Sequence, residues 1–159
     1  MIQYLNLTQG GYPKFRFSTN RQFSGDVNPI KYERTEYNYQ IEYNNGVIII
    51  MQPGWYTFSA YIRGPHFDNS NSCIGIGIVV DNSRKTYSTR FVNHYDCSRL
   101  IDERHGNDAI LSCTGPHYST TSTTYSQYFN QFQLVQVEKV GALNRGHVHC
   151  DYFEGRMMP

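Results

Sequence analysis

Alternation of apolar and polar residues with a period of two is the feature that most constrains this chain. In the segment 37–43, Tyr and Ile occupy the odd positions while Asn, Gln and Glu occupy the even ones. After Pro53-Gly54 the pattern returns, and one face of the segment 55–62 carries Tyr56, Phe58, Ala60 and Ile62. Because successive side chains of a strand point to opposite faces, each segment predicts a strand with one buried face.

The residues Asn44-Asn45-Gly46 predict a β-hairpin, with the run Val47 to Met51 returning as its second strand. Asn-Gly favours the positive backbone angles of a tight turn. No segment combines a 3.6-residue apolar period with helix caps, so we expect little helix. Many short strands separated by turn residues are typical of a β-sandwich or barrel. The further strands expected are 86–92, 109–113, 118–124, 129–140 and 146–158.

The segment Cys73 to Asp81 has an unusual pattern for a strand. Ile and Val residues share one face, whereas Gly75 and Gly77 lie on the other. Glycine inside a strand often marks a bulge or the close approach of another backbone. The pattern is therefore consistent with a subunit interface or with a simple bulge.

Length and charge set the broad class of protein. A chain of 159 residues without linker, low-complexity tract or convincing repeat predicts one domain, 1–159, in which 1–22 form an N-terminal extension or a first strand. A net charge of +1 and the lack of a basic run argue against nucleic acid as a partner. The longest glycine-free apolar run, 47–51, is strand-sized, so membrane insertion is not expected.

Cysteine use favours an extracellular protein. Cys73, Cys97, Cys113 and Cys150 include no CxxC pair, so disulfides are favoured over a zinc site, and all three connectivities remain open. Four reduced cysteines in a cytosolic domain are the alternative. The Asn6-Leu7-Thr8 sequon makes Asn6 a glycosylation candidate. The N-terminal residues do not follow the signal-peptide pattern, so secretion would require a leader that has been removed.

Several ordered stretches resemble the globular head domain of complement C1q. They are Asn28 to Tyr32, Tyr43 to Met51, Pro53 to Tyr61, Ile78 to Lys85 and Asp151 to Met158. The similarity extends over residues 23–158 and is most specific in the stretch from Pro53 to Tyr61. Where that family usually carries Gly-Asp before a late strand, this chain has Phe132-Gln133. The segment 98–118 has no convincing counterpart in the family.

The resemblance implies an all-β, ten-stranded jelly-roll β-sandwich of the C1q and tumour-necrosis-factor (TNF) type, usually assembled as a homotrimer. Heads of this kind recognise varied ligands through surface loops, and some invertebrate members are lectins or pattern receptors. Such assembly would raise the avidity of weak sites roughly a hundred-fold on a multivalent ligand. No collagen Gly-X-Y repeat is present in this chain.

Tyrosines in polar segments are the candidate ligand contacts. An exposed Tyr can stack on a sugar ring while its hydroxyl forms a hydrogen bond, and Arg can clamp an acidic sugar. The alternative is that these rings cover strand faces or subunit contacts. The tyrosines are Tyr87, Tyr95, Tyr118, Tyr125 and Tyr128, and the arginines are Arg90, Arg99 and Arg104.

His147 and His149 flank Val148 in an expected strand and share a face with Asp151. Their Cβ atoms would lie about 7 Å apart, close enough for zinc with a third ligand. Ordinary imidazoles on a solvated strand, or a pH-sensitive interface, are the alternatives. Asp68, Asn69 and Asn71 loosely suggest a calcium loop, but Cys73 and Val79 replace the glycine and glutamate that an EF-hand needs, which favours a plain polar loop.

Catalysis finds little support in the sequence. There is no Gly-x-Ser-x-Gly elbow, and Cys113, near His117, is better explained as a disulfide partner. The sequence is interpreted as a secreted trimeric recognition domain that binds carbohydrate or microbial-surface ligands in innate immunity. The alternatives are a TNF-like ligand of a protein receptor, a structural trimer of the same fold, or a secreted metal-binding protein.

Overall fold

The computed structural model describes residues 11–19, 27–63, 72–92, 110–111, 120–141 and 151–159. These residues form strands, turns and extended chain. No helix long and apolar enough to cross a membrane occurs in this part of the protein. The strands are β1 Lys14–Thr19, β2 Arg34–Tyr39, β3 Glu42–Asn44, β4 Val47–Ile49, β5 Gly54–Arg63, β6 Ser72–Val80, β7 Ser83–Val92, β8 Ile110–Leu111, β9 Thr120–Phe129, β10 Leu134–Gly141 and β11 Asp151–Met157.

Two sheets pack face to face. One has five strands in the order β2-β1-β11-β5-β9, and the other has six in the order β3-β4-β10-β6-β7-β8. Every pairing is antiparallel except that of the two-residue β8, which runs parallel to β7. The other ten strands form the jelly-roll sandwich, so the predicted all-β fold class is confirmed.

The predicted hairpin is confirmed as β3 and β4. Glu42 pairs with Ile49 and Asn44 pairs with Val47, which leaves Asn45 and Gly46 as a two-residue turn. Their φ angles of 50° and 90° are both positive, as a type I′ turn requires.

The segment 37–43 is two strands and not one, which corrects the sequence-based interpretation. Gln40, with φ of 62°, divides it, and β2 joins the five-stranded sheet while β3 joins the six-stranded sheet. The Asn38 side chain donates to the Ile41 carbonyl and accepts from the Ile41 amide, both at 3.0 Å. A local side-chain bond of this kind offers the backbone an alternative to the sheet ladder. Tyr37 lies on β2, at the edge of the five-stranded sheet, and is 44% exposed.

The expected strand 129–140 also contains a break. β9 continues from Thr120 to Phe129, residues 130–133 form a turn, and β10 begins at Leu134. Phe132 has a φ of 72° in this turn, and its amide donates to the Ile50 carbonyl at 2.6 Å. The alternation therefore stops at a turn that contains no glycine.

Aromatic side chains dominate the core between the sheets. The predicted inward face of β5 is confirmed, since Tyr56, Phe58, Ala60 and Ile62 are at most 1% exposed. Phe58 packs against Phe153 and Phe129, with ring centroids 5.9 and 5.3 Å apart. Burying each such side chain contributes about 1.5–3 kcal/mol. The rings leave no space beside Gly155, where a Cβ would lie 2.5 Å from Phe58 and 2.8 Å from Phe15.

The glycine face of β6 is covered by a side chain of the neighbouring strand. The Tyr87 ring lies over Gly75 and Gly77, in the space that side chains there would fill. The register of β6 and β7 shifts between Ile78 and Val79, where the additional residue belongs to β7 and not to the glycine segment.

Candidate functional site

The outward face of the five-stranded sheet carries large exposed side chains; we call it the aromatic sheet face. It comprises the side chains opposite to the core on β1, β5, β9 and β11. Trp55 is 54% and Tyr128 is 49% exposed, and their rings meet edge to face with centroids 6.2 Å apart. The pairing is fixed by the sheet, because Trp55 and Tyr128 lie opposite each other on β5 and β9. Such an ordered aromatic pair at the surface is typical of a contact region.

A second aromatic pair lies towards the other end of the same face. Tyr61 and Tyr152 stack with centroids 5.0 Å apart, and the Arg16 guanidinium carbon lies 4.1 Å above the Tyr152 ring. Arg16 also lies 3.4 Å from a Glu36 carboxylate oxygen and 3.8 Å from one of Glu154. Burial raises the pKa of Tyr152, Glu154 raises it further, and Arg16 lowers it in part.

Hydroxyl pairs join β5 to β9 between the two aromatic pairs. Thr57 and Ser126 are hydrogen-bonded at 2.8 Å, and Ser59 and Thr124 at 2.9 Å. These hydroxyls are satisfied across the strands, so covering them would cost less than covering free polar groups. On β11 their neighbours are charged, since Glu154 pairs with Ser59 and Arg156 pairs with Thr57. The uncharged part of the face is therefore the strip on β5 and β9.

Two open clefts flank β1 and β11 on this face. The first has a volume of about 520 Å³ and is lined by Arg16, Ser18, Arg34, Thr35, Glu36 and Tyr152. The second, of about 420 Å³, is lined by Lys14, Tyr37, Thr57, Ser59, Glu154, Gly155 and Arg156. Both volumes fall in the range of small-ligand sites, and both linings mix charged and aromatic groups.

The opposite surface, on the six-stranded sheet, contains a buried ion pair. Arg84 Nε donates to Glu138 at 2.6 Å, and these side chains are 4% and 5% exposed. The Arg84 guanidinium carbon lies 3.8 Å from the centre of the Tyr87 ring. Tyr87 itself is 1% exposed, so the prediction that it offers a free ring to a sugar is wrong.

One end of the core contains buried polar groups. Lys139 is 0%, Asp151 1% and Tyr32 5% exposed. Burial raises the pKa of Tyr32 well above its ordinary value, and the Asp151 charge raises it further. Asp151 faces the core, as does Phe153 two residues later. Among the described residues, no group of three or more His, Cys, Asp or Glu is placed to hold a metal. His147 and His149 lie outside these residues, so the metal site stays a prediction.

Most of the other predicted site residues lie outside the described part of the chain. Arg90 belongs to β7, where its backbone pairs with Ile74, and Cys73 belongs to β6. Their binding and disulfide roles stay predictions, as do those of the residues beyond the described ranges. The latter are Tyr95, Arg99, Arg104, Tyr118, Cys97, Cys113, Cys150, Asn6, Asp68, Asn69 and Asn71.

The aromatic sheet face was only partly anticipated from the sequence. Tyr128 was expected at the surface and is exposed, whereas Tyr125 is half-buried against the core. Trp55 and Tyr61 could have been found from the alternation, which places them opposite to the buried residues of β5. Arg16 and Tyr152 gave no such signal, because only the pairing of β1 with β11 brings them together.

Comparisons with known proteins identify the fold. No family model and no curated protein matches this sequence. A crystal structure of murine APRIL superposes with a TM-score of 0.61 and 8% identity, covering 92% of this chain and 99% of the other. The globular domain of zebrafish complement 1qA protein superposes with a TM-score of 0.61 and 10% identity, covering 93% and 98%. The chain therefore has a C1q/TNF-like jelly-roll fold, as the resemblance implied.

Proposed function

We propose that the chain is a recognition domain that assembles as a homotrimer through the aromatic sheet face and binds carbohydrate or microbial-surface ligands. The exposed Trp55–Tyr128 pair is the observation that carries the assembly. A monomer gains nothing from holding two large rings in contact with water, whereas aromatic residues are enriched at the centre of protein interfaces.

Three features of the aromatic sheet face support its use between subunits. Its Trp55–Tyr128 end exposes two rings, its hydroxyls are paired between β5 and β9, and its ionic groups lie along β1 and β11. Protein interfaces usually combine an apolar, hydrogen-bonded part with charged groups that border it, and the strip on β5 and β9 beside the charges of β11 has this combination. The resemblance to complement heads implies three-fold assembly.

An assembly that presents several copies of one binding site suits a ligand with repeated units. Weak sites that are linked in one assembly gain avidity by a factor of about a hundred or more when the ligand is multivalent. Glycans and microbial surfaces are repetitive in this way. The even count of four cysteines and the Asn6 sequon support an extracellular location.

Sedimentation of the purified chain tests the assembly. We expect a trimer, and we expect Tyr128→Lys to dissociate it, because three-fold symmetry would bring three added charges into an apolar interface. Asn44→Lys, at an exposed position of the six-stranded sheet, is the matched control and should sediment as wild type does. A wild-type chain that sediments as a monomer would contradict the assembly.

A glycan array with the intact protein tests the ligand class. Binding to one or more glycans, weakened in Tyr128→Lys through loss of multivalency, is the expected result. Capture of a protein receptor with no glycan binding would instead support a receptor ligand of the same fold.

A further inference from the structure

Phe132 is the most exposed large apolar side chain in the described part of the chain, at 63%. It also has a φ of 72°, a backbone conformation that bulky L-residues rarely adopt. Glycine would take this conformation without steric cost and would expose no apolar surface. A contact between the ring and a ligand would explain why phenylalanine is present here in spite of both disadvantages.

Hydrogen bonds hold the Phe132 turn rigid on two sides. The Phe132 amide donates to the Ile50 carbonyl at 2.6 Å, and the Ile50 amide donates to the Gln133 carbonyl at 3.0 Å. On the other side, Gln133 Nε2 and the Leu134 amide donate to the two carboxylate oxygens of Asp81, at 2.8 and 3.0 Å. Strained residues persist where their surroundings fix them, and they occur at ligand sites more often than elsewhere. The backbone that carries the ring is therefore held in one conformation.

Hydrogen bonds join three turns at the end of the sandwich that carries this ring. We call residues 50–53, 81–83 and 130–134 the Phe132 platform. Its apolar part includes Met51 and Leu134, which are 37% and 39% exposed. Its polar part is almost entirely amide and hydroxyl, from Gln52, Asn82, Ser83, Asn130, Gln131 and Gln133. The only ionisable side chain in these three ranges is Asp81, whose carboxylate already accepts two hydrogen bonds.

This chemistry points to an uncharged ligand with many hydroxyls. Amides both donate and accept hydrogen bonds, so they suit sugar hydroxyls, and an exposed ring can cover the apolar face of a sugar. The absence of a basic side chain in the three ranges, together with the Asp81 charge, disfavours an anionic ligand. The platform has about a dozen residues, fewer than the 20–30 per side of a standard protein interface, and it matches one or two sugar rings better.

We propose that the Phe132 platform is a binding site for neutral oligosaccharides, with Phe132 as the stacking residue. This deepens the proposed recognition function, on which it rests, by assigning a site and a class of glycan. The site lies at the end of the sandwich where β5 begins and β9 ends, next to the Trp55–Tyr128 pair, and its residues are distinct from those of the aromatic sheet face.

Phe132→Gly separates the ring from the fold, because glycine accepts the φ of 72° that this position requires. The intact protein and three variants would be titrated with neutral mannose-, galactose- and N-acetylglucosamine-terminated oligosaccharides, and with sialylated and sulfated ones. Phe132→Trp keeps an aromatic ring, and Tyr12→Ala removes an exposed ring outside the platform.

We expect wild type to bind a neutral oligosaccharide and Phe132→Gly to bind it at least about tenfold more weakly, as for loss of an anchoring aromatic. Phe132→Trp and Tyr12→Ala should stay within about threefold of wild type. The melting temperature of Phe132→Gly should be unchanged or about 2–4 °C higher, since backbone strain is relieved.

Equal affinity in Phe132→Gly and wild type would overturn the platform while leaving glycan recognition in place. Binding to charged glycans alone, or to a protein alone, would overturn the choice of ligand. A monomeric wild type that still loses neutral-glycan binding with Phe132→Gly would support the platform and contradict only the trimer.

Discussion

Arg84 and Glu138 form an ion pair at 2.6 Å on the six-stranded sheet, with both side chains nearly inaccessible to water. Removing one partner of a buried pair leaves the other charged and unpaired, which typically costs about 3–5 kcal/mol. We therefore expect Glu138→Ala to lower the free energy of unfolding by that amount in a urea titration.

Glu36→Ala is the matched control, because Glu36 pairs with Arg16 at 3.4 Å where the two side chains are 35% and 47% exposed. Exposed pairs contribute about 0–1 kcal/mol, so this variant should be close to wild type. Similar losses of unfolding free energy in the two variants would show that the Arg84–Glu138 pair is not buried in solution.

Gly155 can be tested by adding a single methyl group. Gly155→Ala would place a Cβ 2.5 Å from the Phe58 ring, and overpacking of this kind costs about 1–3 kcal/mol. Phe58→Leu would replace the ring that this Cβ meets by a smaller side chain. The double variant should lose less stability than the sum of the two single losses, since the two sites are in contact. Additive losses would mean that Gly155 is constrained by something other than Phe58.

The Tyr43 hydroxyl accepts a hydrogen bond from the Tyr32 backbone amide at 2.9 Å. Tyr43→Phe would leave that amide unsatisfied beside a side chain that is 5% exposed. We expect a loss of about 1–3 kcal/mol in the free energy of unfolding. Tyr37→Phe, at a ring that is 44% exposed, should change it by less than about 0.5 kcal/mol.

Stability should fall in alkaline solution. Burial raises the pKa of Tyr56 from 10.0 to about 12, so the folded state holds this proton after the unfolded chain has lost it. The contribution of Tyr56 is therefore fully present below pH 10 and is lost as the pH rises to about 12, by roughly 2 kcal/mol. Tyr56→Phe should flatten the decline in unfolding free energy over this range. An unchanged pH profile in the variant would contradict the assignment.

Local patterns in the sequence predicted the strands and failed where tertiary contacts decide the chain path. The hairpin turn at Asn45-Gly46 and the inward face of β5 follow from residue type and spacing alone. The division at Gln40 does not, because it depends on which sheet each strand joins. Asn38, two residues earlier, was the available signal, since Asn side chains bond to nearby backbone.

The same limit explains the candidate sites. A tyrosine in a polar segment, such as Tyr87, is expected at the surface. Its ring is buried because Gly75 and Gly77, which have no side chains, leave space for it. Phe132 has the positive φ that turns usually reserve for glycine. Because no glycine marks this turn, the alternation of residues predicted one uninterrupted strand across it. The aromatic sheet face depends on the pairing of β1, β5 and β11, which are far apart in sequence.

The position of β11 in the five-stranded sheet has a consequence for biosynthesis. This strand comes last in the described chain, yet it lies between β1 and β5. A nascent chain on the ribosome can therefore form neither of these pairings until residues 151–157 have emerged, and both earlier strands keep an open edge until then. Completion of this sheet therefore waits for residues 151–157, and premature termination before β11 would release a polypeptide with two open strand edges that is prone to aggregation.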